Sequence, residues 1–215
     1  MKKISKMQNL ALMSLFAGII FMLALSGFGY IQLGIIRATI IHIPVIVGSI
    51  LFGPKKGAFL GFLFGVTSFI TNTSTPGLLS FAFSPLIPIP GTDRGSIRAL
   101  AICFIPRILV GVVPFYIFHL FQSLYKGKKR LLSFAIAGIA GAVTNTLLVM
   151  GGIYILFKDS YAAAMEIPTT IVFQTVLTVI FTNGIPEALF AGIITSALCR
   201  ALMSNHQVRD MLERY

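Results

Sequence analysis

The stretch Thr39–Thr71 reads TIIHIPVIVGSILFGPKKGAFLGFLFGVTSFIT, two apolar runs joined by Gly53-Pro54-Lys55-Lys56-Gly57. Glycine and proline stop a helix, and two adjacent lysines are costly in hydrocarbon. The connection therefore belongs at a membrane surface, with one helix arriving and the next leaving. In the second helix Gly57, Gly61 and Gly65 recur every fourth residue and leave a smooth side for a neighbouring helix. Arg37, Thr39 and His42 sit at the far end of the first run, polar groups just inside an apolar segment. The pattern predicts a compact helical membrane protein that holds something near one surface.

Composition agrees. The chain has 215 residues, 56% of them hydrophobic and only 11% charged, and its mean hydropathy is +0.92. That is a bilayer composition. A net charge of +11 would suggest nucleic acid in a soluble domain. In a membrane protein it reports cytoplasmic loops facing anionic lipid, so no nucleic-acid partner is expected. Cys103 and Cys199 stand alone in apolar runs and read as small buried hydrophobes.

Outward from the central hairpin, the apolar runs predict six helices, at about 8–27, 38–53, 57–72, 97–124, 131–157 and 168–203. The connections 28–37, 73–96 and 158–167 then lie on one side. The first run carries Ala11, Ser14 and Gly18, small residues that suit close helix packing. A cleaved secretory signal is the plainer reading of this run, but it is long for that role. The 73–96 connection holds Pro76, Pro85, Pro88 and Pro90, which exclude a regular helix over most of it. Long connections in compact proteins are lids, binding loops or disorder.

Basic residues fix an expected orientation. The amino terminus, the Lys55-Lys56 turn, KGKKR at 126–130 and the tail from Arg200 hold twelve of the seventeen lysines and arginines. Their alternation along the chain predicts an all-α integral membrane protein, a six-helix bundle with both termini cytoplasmic. Arg37, His42, Arg107, Asn145, Tyr154, Asn183 and Glu187 then fall in its outer half, and the inner half is nearly pure hydrocarbon. A channel needs polar residues along its whole length; a site open outside and sealed below does not. The asparagines fit interhelical hydrogen bonding as well as ligand contact, and Arg107 with Glu187 fits a structural ion pair. His42, two residues before Pro44, also reads as a helix-end hydrogen bonder. No HExxH, paired aspartates or Walker sequence is present, so neither an enzyme, a metal site nor a cofactor is expected.

Several blocks carry a family resemblance: TIIHIPVIVGSILFGPKKGAFLGFLFGVTSF, FIPRILVG at 104–111, GAVTNTLLVMGG at 141–152 and NGIPEA at 183–188. With the six predicted spans they resemble the substrate-binding S component of an energy-coupling factor (ECF) vitamin transporter, most closely its pantothenate-binding branch. The hydroxymethylpyrimidine-type branch is a near alternative. The resemblance implies a small vitamin ligand and three protein partners, a transmembrane coupling protein and two cytoplasmic ATPase subunits. It further implies that the S component topples in the bilayer to release substrate inward. The family's first-helix AxxxA coupling motif has no clean copy here; Ala11, Ser14 and Gly18 stand in its place. Chemistry favours pantothenate, an anion with a carboxylate, an amide and two hydroxyls. Arg107 suits the carboxylate, and Asn145 and Asn183 suit the amide and hydroxyls. A self-standing membrane facilitator or scaffold without an ATPase is the alternative from another class.

Overall fold

Gly53 takes φ 87°, a left-handed conformation that strains any residue with a side chain, and Pro54 follows it. This pair alone separates helix α2 (His42–Phe52) from α3 (Pro54–Ser74). Lys55 and Lys56 therefore lie in the first turn of α3, not in a five-residue connection. The computed structural model describes residues 6–27, 29–33, 36–204 and 209. Helix α1 spans Lys6–Leu25, α4 Arg98–Val110, α5 Val113–Leu124 and α6 Arg130–Ala164. Helix α7 (Val172–Val179) runs through a π turn at Ile180–Gly184 into α8 (Ile185–Leu202).

The glycine pattern of α3 does what its spacing suggests, with α4 as the neighbour. A Cβ on Gly57 would collide with the Gly111 carbonyl, and one on Gly61 with that of Arg107. A Cβ on Gly65 would come within 2.7 Å of the Phe104 ring. The two helices thus pack antiparallel, backbone against backbone. In lipid, where apolar burial drives little association, such contact is a main source of cohesion. This face is fully used inside the protein.

Several expected boundaries shift, each for a local reason. The 28–37 segment is not simply a loop, because β1 (Tyr30–Leu33) pairs antiparallel with β2 (Ile36–Thr39). Its β-branched and aromatic residues favour that pairing, and the following helix begins only at His42. The 97–124 run is two helices, broken where Gly111 precedes Pro114, whose missing N–H leaves the Val110 carbonyl without a helical donor. The 158–167 loop is largely helical, since α6 kinks at Phe157 (φ −137°, ψ 29°) and resumes to Ala164. In the last run, Pro186 leaves Thr182 without its helical donor, and the turn before it widens to π geometry.

The core has two halves. At the lysine-bearing end, Phe16, Ile20, Val45, Ile50, Leu60 and Phe118 pack with Phe134, whose ring stacks on Phe118 at 4.7 Å. At the opposite end, Phe81 and Ala82 of the 75–97 loop are buried among Ile102, Ile153, Phe157, Tyr161 and Val176. This loop is therefore docked structure, with a 3-10 turn at Ser80–Ala82. The lysine-bearing half also buries the hydroxyls of Ser49, Ser133 and Thr195, so it is less uniformly hydrocarbon than its sequence suggests. Both cysteines are buried and unpaired. Ile155, Ile193 and Leu189 point outward.

Among the described residues, four segments are long and apolar enough to cross a bilayer: Met7–Leu25, Arg98–Leu124, Arg130–Ala164 and Thr169–Leu202. Helix α2 has 11 residues and reaches about 16 Å. Helix α3 has 21 residues but carries two lysines at one end and TNTS at the other.

Candidate functional site

Arg107 follows Pro106 within α4, and proline has no N–H for the carbonyl four residues back, Ile102. The Arg107 side chain supplies the missing donor: its Nη1 lies 3.0 Å from the Ile102 oxygen. Long helical side chains point back toward the helix N-terminus, which is the direction this bond requires. Its Nη2 donates to Ser68 Oγ at 3.4 Å. The rings of Phe64 and Phe83 lie 5.5 Å and 4.9 Å from the guanidinium carbon. Arg107 is only 7% exposed. A buried cation held by aromatic faces and hydroxyl groups keeps its positive field in a dry setting, which suits an anionic group arriving there.

A second polar group gathers where β2 meets α8. Glu187 Oε1 accepts the Thr39 backbone N–H at 3.3 Å and lies 3.7 Å from His42 Nδ1. His42 is 1% exposed, and neither of its ring nitrogens has a hydrogen-bond partner among the described residues. Thr39, His42 and Glu187 therefore form one cluster from three elements. Glu187 thus has His42 as a neighbour that the sequence did not name for it.

The remaining expected residues distribute around these groups. Asn145 lies on α6, half-buried, with its Oδ1 enclosed and without a hydrogen bond among the described residues. Asn183 lies in the π turn and accepts from Thr182 Oγ1 at 3.4 Å. Thr146 packs 3.0 Å from where a Gly184 Cβ would stand, so the neighbouring asparagines ride on one α6–π-turn contact. Tyr154 belongs instead to the outer apolar cluster, with Phe173 at 5.6 Å and Lys158 Nζ 5.7 Å from its ring. Arg37 pairs with Gln32 in the hairpin, and its side chain lies outside what the structure describes. Ala11, Ser14 and Gly18 are exposed on α1, and a Cβ on Gly18 would meet nothing within 4 Å. The opposite side of α1, at Phe16, Ile20 and Ala24, faces the core.

Sequence reasoning missed Phe64, Ser68 and Phe83. A signal for Ser68 existed: it stands four residues before Asn72 in FGVTSFITNT, a polar pair on one side of a greasy helix. Nothing in the pattern announced Phe83, which reaches Arg107 from the proline-rich connection.

The geometry is that of a buried, charge-bearing cluster covered by a docked loop. The sequence profile described as ECF transporter, substrate-specific component, matches residues 8–199. The chain belongs to the S components of ECF transporters. Among curated proteins, the S component described here is 35% identical over 206 residues to the pantothenic acid transporter PanT of Lactococcus lactis subsp. cremoris, covering 94% of this chain and 96% of that protein. It is 28% identical over 179 residues to the pantothenate transporter PanT of Leuconostoc mesenteroides subsp. mesenteroides, covering 81% of each. The family is a transporter component and not an enzyme class. With its apolar helices, membership makes this S component a multi-pass protein of the bacterial cell membrane.

Proposed function

We propose that this S component captures pantothenate near the outer face and delivers it to an ATP-driven ECF module. The observation that carries the reading is Arg107, a buried guanidinium whose anchoring leaves a positive site in the loop-covered half. Pantothenate brings one carboxylate, and a guanidinium grips such a group through paired charge-assisted bonds. The two relatives named above are pantothenate transporters, which supports the choice. Asn145 with its enclosed amide oxygen, Asn183, His42 and Glu187 offer donors and acceptors for the ligand's amide and hydroxyls. Arg37 stands in the hairpin at the same end, and Tyr154 lines the apolar side.

In this reading the chain is a single membrane domain with six crossings and cytoplasmic termini. The hairpin and α2 make the second crossing together, since α2 alone is too short. A transmembrane coupling protein and two cytoplasmic ATPase subunits are the partners, and the exposed Ala11, Ser14, Gly18 side of α1 is where the coupling protein packs. Mass spectrometry of the small molecule retained by protein purified from native membranes tests the ligand. Pantothenate is the expected species; a pyrimidine or a different vitamin overturns the assignment. Copurification of ATPase subunits tests the partnership, and their absence favours a self-standing facilitator.

A further inference from the structure

Two rungs of side-chain hydrogen bonds tie the 75–97 loop to the end of α3, and both frame Phe83. Asn72 Oδ1 accepts from Ser80 Oγ at 2.8 Å, while its Nδ2 donates to the Ser68 carbonyl at 2.8 Å and reaches Ser68 Oγ at 3.5 Å. Ser80 Oγ in turn accepts the Gly77 N–H at 2.9 Å, and the Ser80 carbonyl accepts the Phe83 N–H at 3.0 Å. One residue further along α3 and four along the loop, Thr73 Oγ1 and Ser84 Oγ lie 2.8 Å apart. Ser84 is fully buried and Ser80 is 3% exposed. Phe83 stands between these two clamped serines with its ring 4.9 Å from the Arg107 guanidinium carbon.

The chain of bonds is continuous and consistently oriented. It runs from Gly77 through Ser80 and Asn72 to Ser68, where Arg107 Nη2 also donates. Ser68 Oγ thus receives the arginine from one side and the loop's anchor from the other. Phe83 belongs to the loop itself, and Ser68, on α3, is bonded by the Asn72 side chain that also holds the loop's Ser80. Arg107 also contacts Ile102 on α4 and Phe64 on α3, which take no part in these rungs.

We propose that Ser68, Asn72, Thr73 and Ser80 are positioning residues which, through Phe83, orient the Arg107 guanidinium and so set the preference for a carboxylate ligand. This rests on the pantothenate reading given above. The ring covers a face of the guanidinium, where it stabilises the cation without competing for its N–H groups. The bond to Ser68 fixes the rotation of the fork about its stem. A carboxylate needs that rotation fixed to be held by two bonds, whereas a hydroxyl in its place does not. Carboxylate selection is therefore built partly in a loop that need not touch the ligand.

The test compares pantothenate with the alcohol in which its carboxylate is replaced by CH2OH, both titrated into purified wild-type, N72A, T73V, F83L and R107A protein. Wild type should favour the carboxylate form. N72A, T73V and F83L should each lower affinity for the carboxylate form about five- to tenfold more than for the alcohol, the range of one charge-assisted or cation–π contact. Parallel loss of both ligands in N72A, T73V and F83L would show that the rungs only hold the loop's fold, and would overturn the proposal. So would an unchanged preference in all three while R107A loses it, though the arginine's role would then stand. A wild type that binds neither ligand, or an R107A that keeps full preference, overturns the underlying reading instead.

Discussion

Arg107 Nη1 bonds the Ile102 carbonyl at 3.0 Å, and that carbonyl lacks a helical donor because residue 106 is proline. The Pro-Arg pair is thus one device: the proline opens an acceptor and the next side chain closes it. The arginine is held by its own helix before any ligand arrives, so little ordering remains for the binding step.

That device predicts the effect of removing either member. Arg107→Ala should weaken pantothenate binding by about 1.5–3 kcal/mol, on the order of ten- to a hundredfold, and Arg107→Lys should recover only part. Calorimetric titration of folded protein checks it. Unchanged affinity in Arg107→Ala would make the arginine purely structural.

Pro106→Ala restores a backbone donor that competes with Arg107 for the Ile102 oxygen. Melting temperature should hold or rise, while affinity falls by about three- to tenfold. Equal affinity in this variant would sink the claim that the proline sets the arginine's position.

Gly61 lies against the Arg107 backbone with no room for a methyl group. Gly61→Ala should push α3 from α4, costing about 1–3 kcal/mol of stability and displacing the site. Gly77→Ala, where a Cβ meets nothing within 4 Å, serves as the comparison and should leave the melting temperature unchanged. Thermal unfolding in detergent reads both.

The exposed side of α1 predicts a separation of capture from transport. Gly18→Leu adds bulk where nothing lies within 4 Å, so folding and binding should persist. ATP-dependent uptake in proteoliposomes should be lost if the coupling protein packs there. Normal uptake would move the docking surface elsewhere, and the Gly57, Gly61, Gly65 side is not available because α4 occupies it.

Orientation is open to a direct test. Single cysteines at Thr92 should react with an impermeant thiol reagent in whole cells, and those at Lys128 or Ser204 should not. All three positions are exposed, and the native Cys103 and Cys199 are buried. Labelling of Lys128→Cys from outside would reverse the assignment of cytoplasmic loops.

Much of this was legible because glycine, proline and lysine act locally. The Gly53-Pro54 stop, the α3 glycine stripe and the position of Arg107 beside Pro106 in an apolar run each follow from one or two residues and the solvent around them. The hairpin at 30–39 was not legible, because a hydrophobic segment of that length has no period that separates strand from buried loop. The π turn was hidden for a related reason. Asn183 and Glu187 are four apart, which in a regular helix puts them on one side, but the wider turn before Pro186 alters that phase. The Glu187–His42 and Phe83–Arg107 contacts join residues distant in sequence, and a single sequence carries no signal for such pairs.

The direction taken by the Arg107 side chain has an electrical consequence. Its charge sits level with Ile102, four residues from the start of α4, or about 6 Å in by helix rise. Across roughly 30 Å of hydrocarbon, an anion reaching that level crosses about a fifth of the membrane field. At about 2.3 kcal/mol per charge per 100 mV, that amounts to roughly 0.5 kcal/mol. In the proposed orientation, uptake of the vitamin into the site should therefore be almost indifferent to voltage, and the inward step proposed to follow would carry nearly all of the work of moving a negative charge against an interior-negative potential.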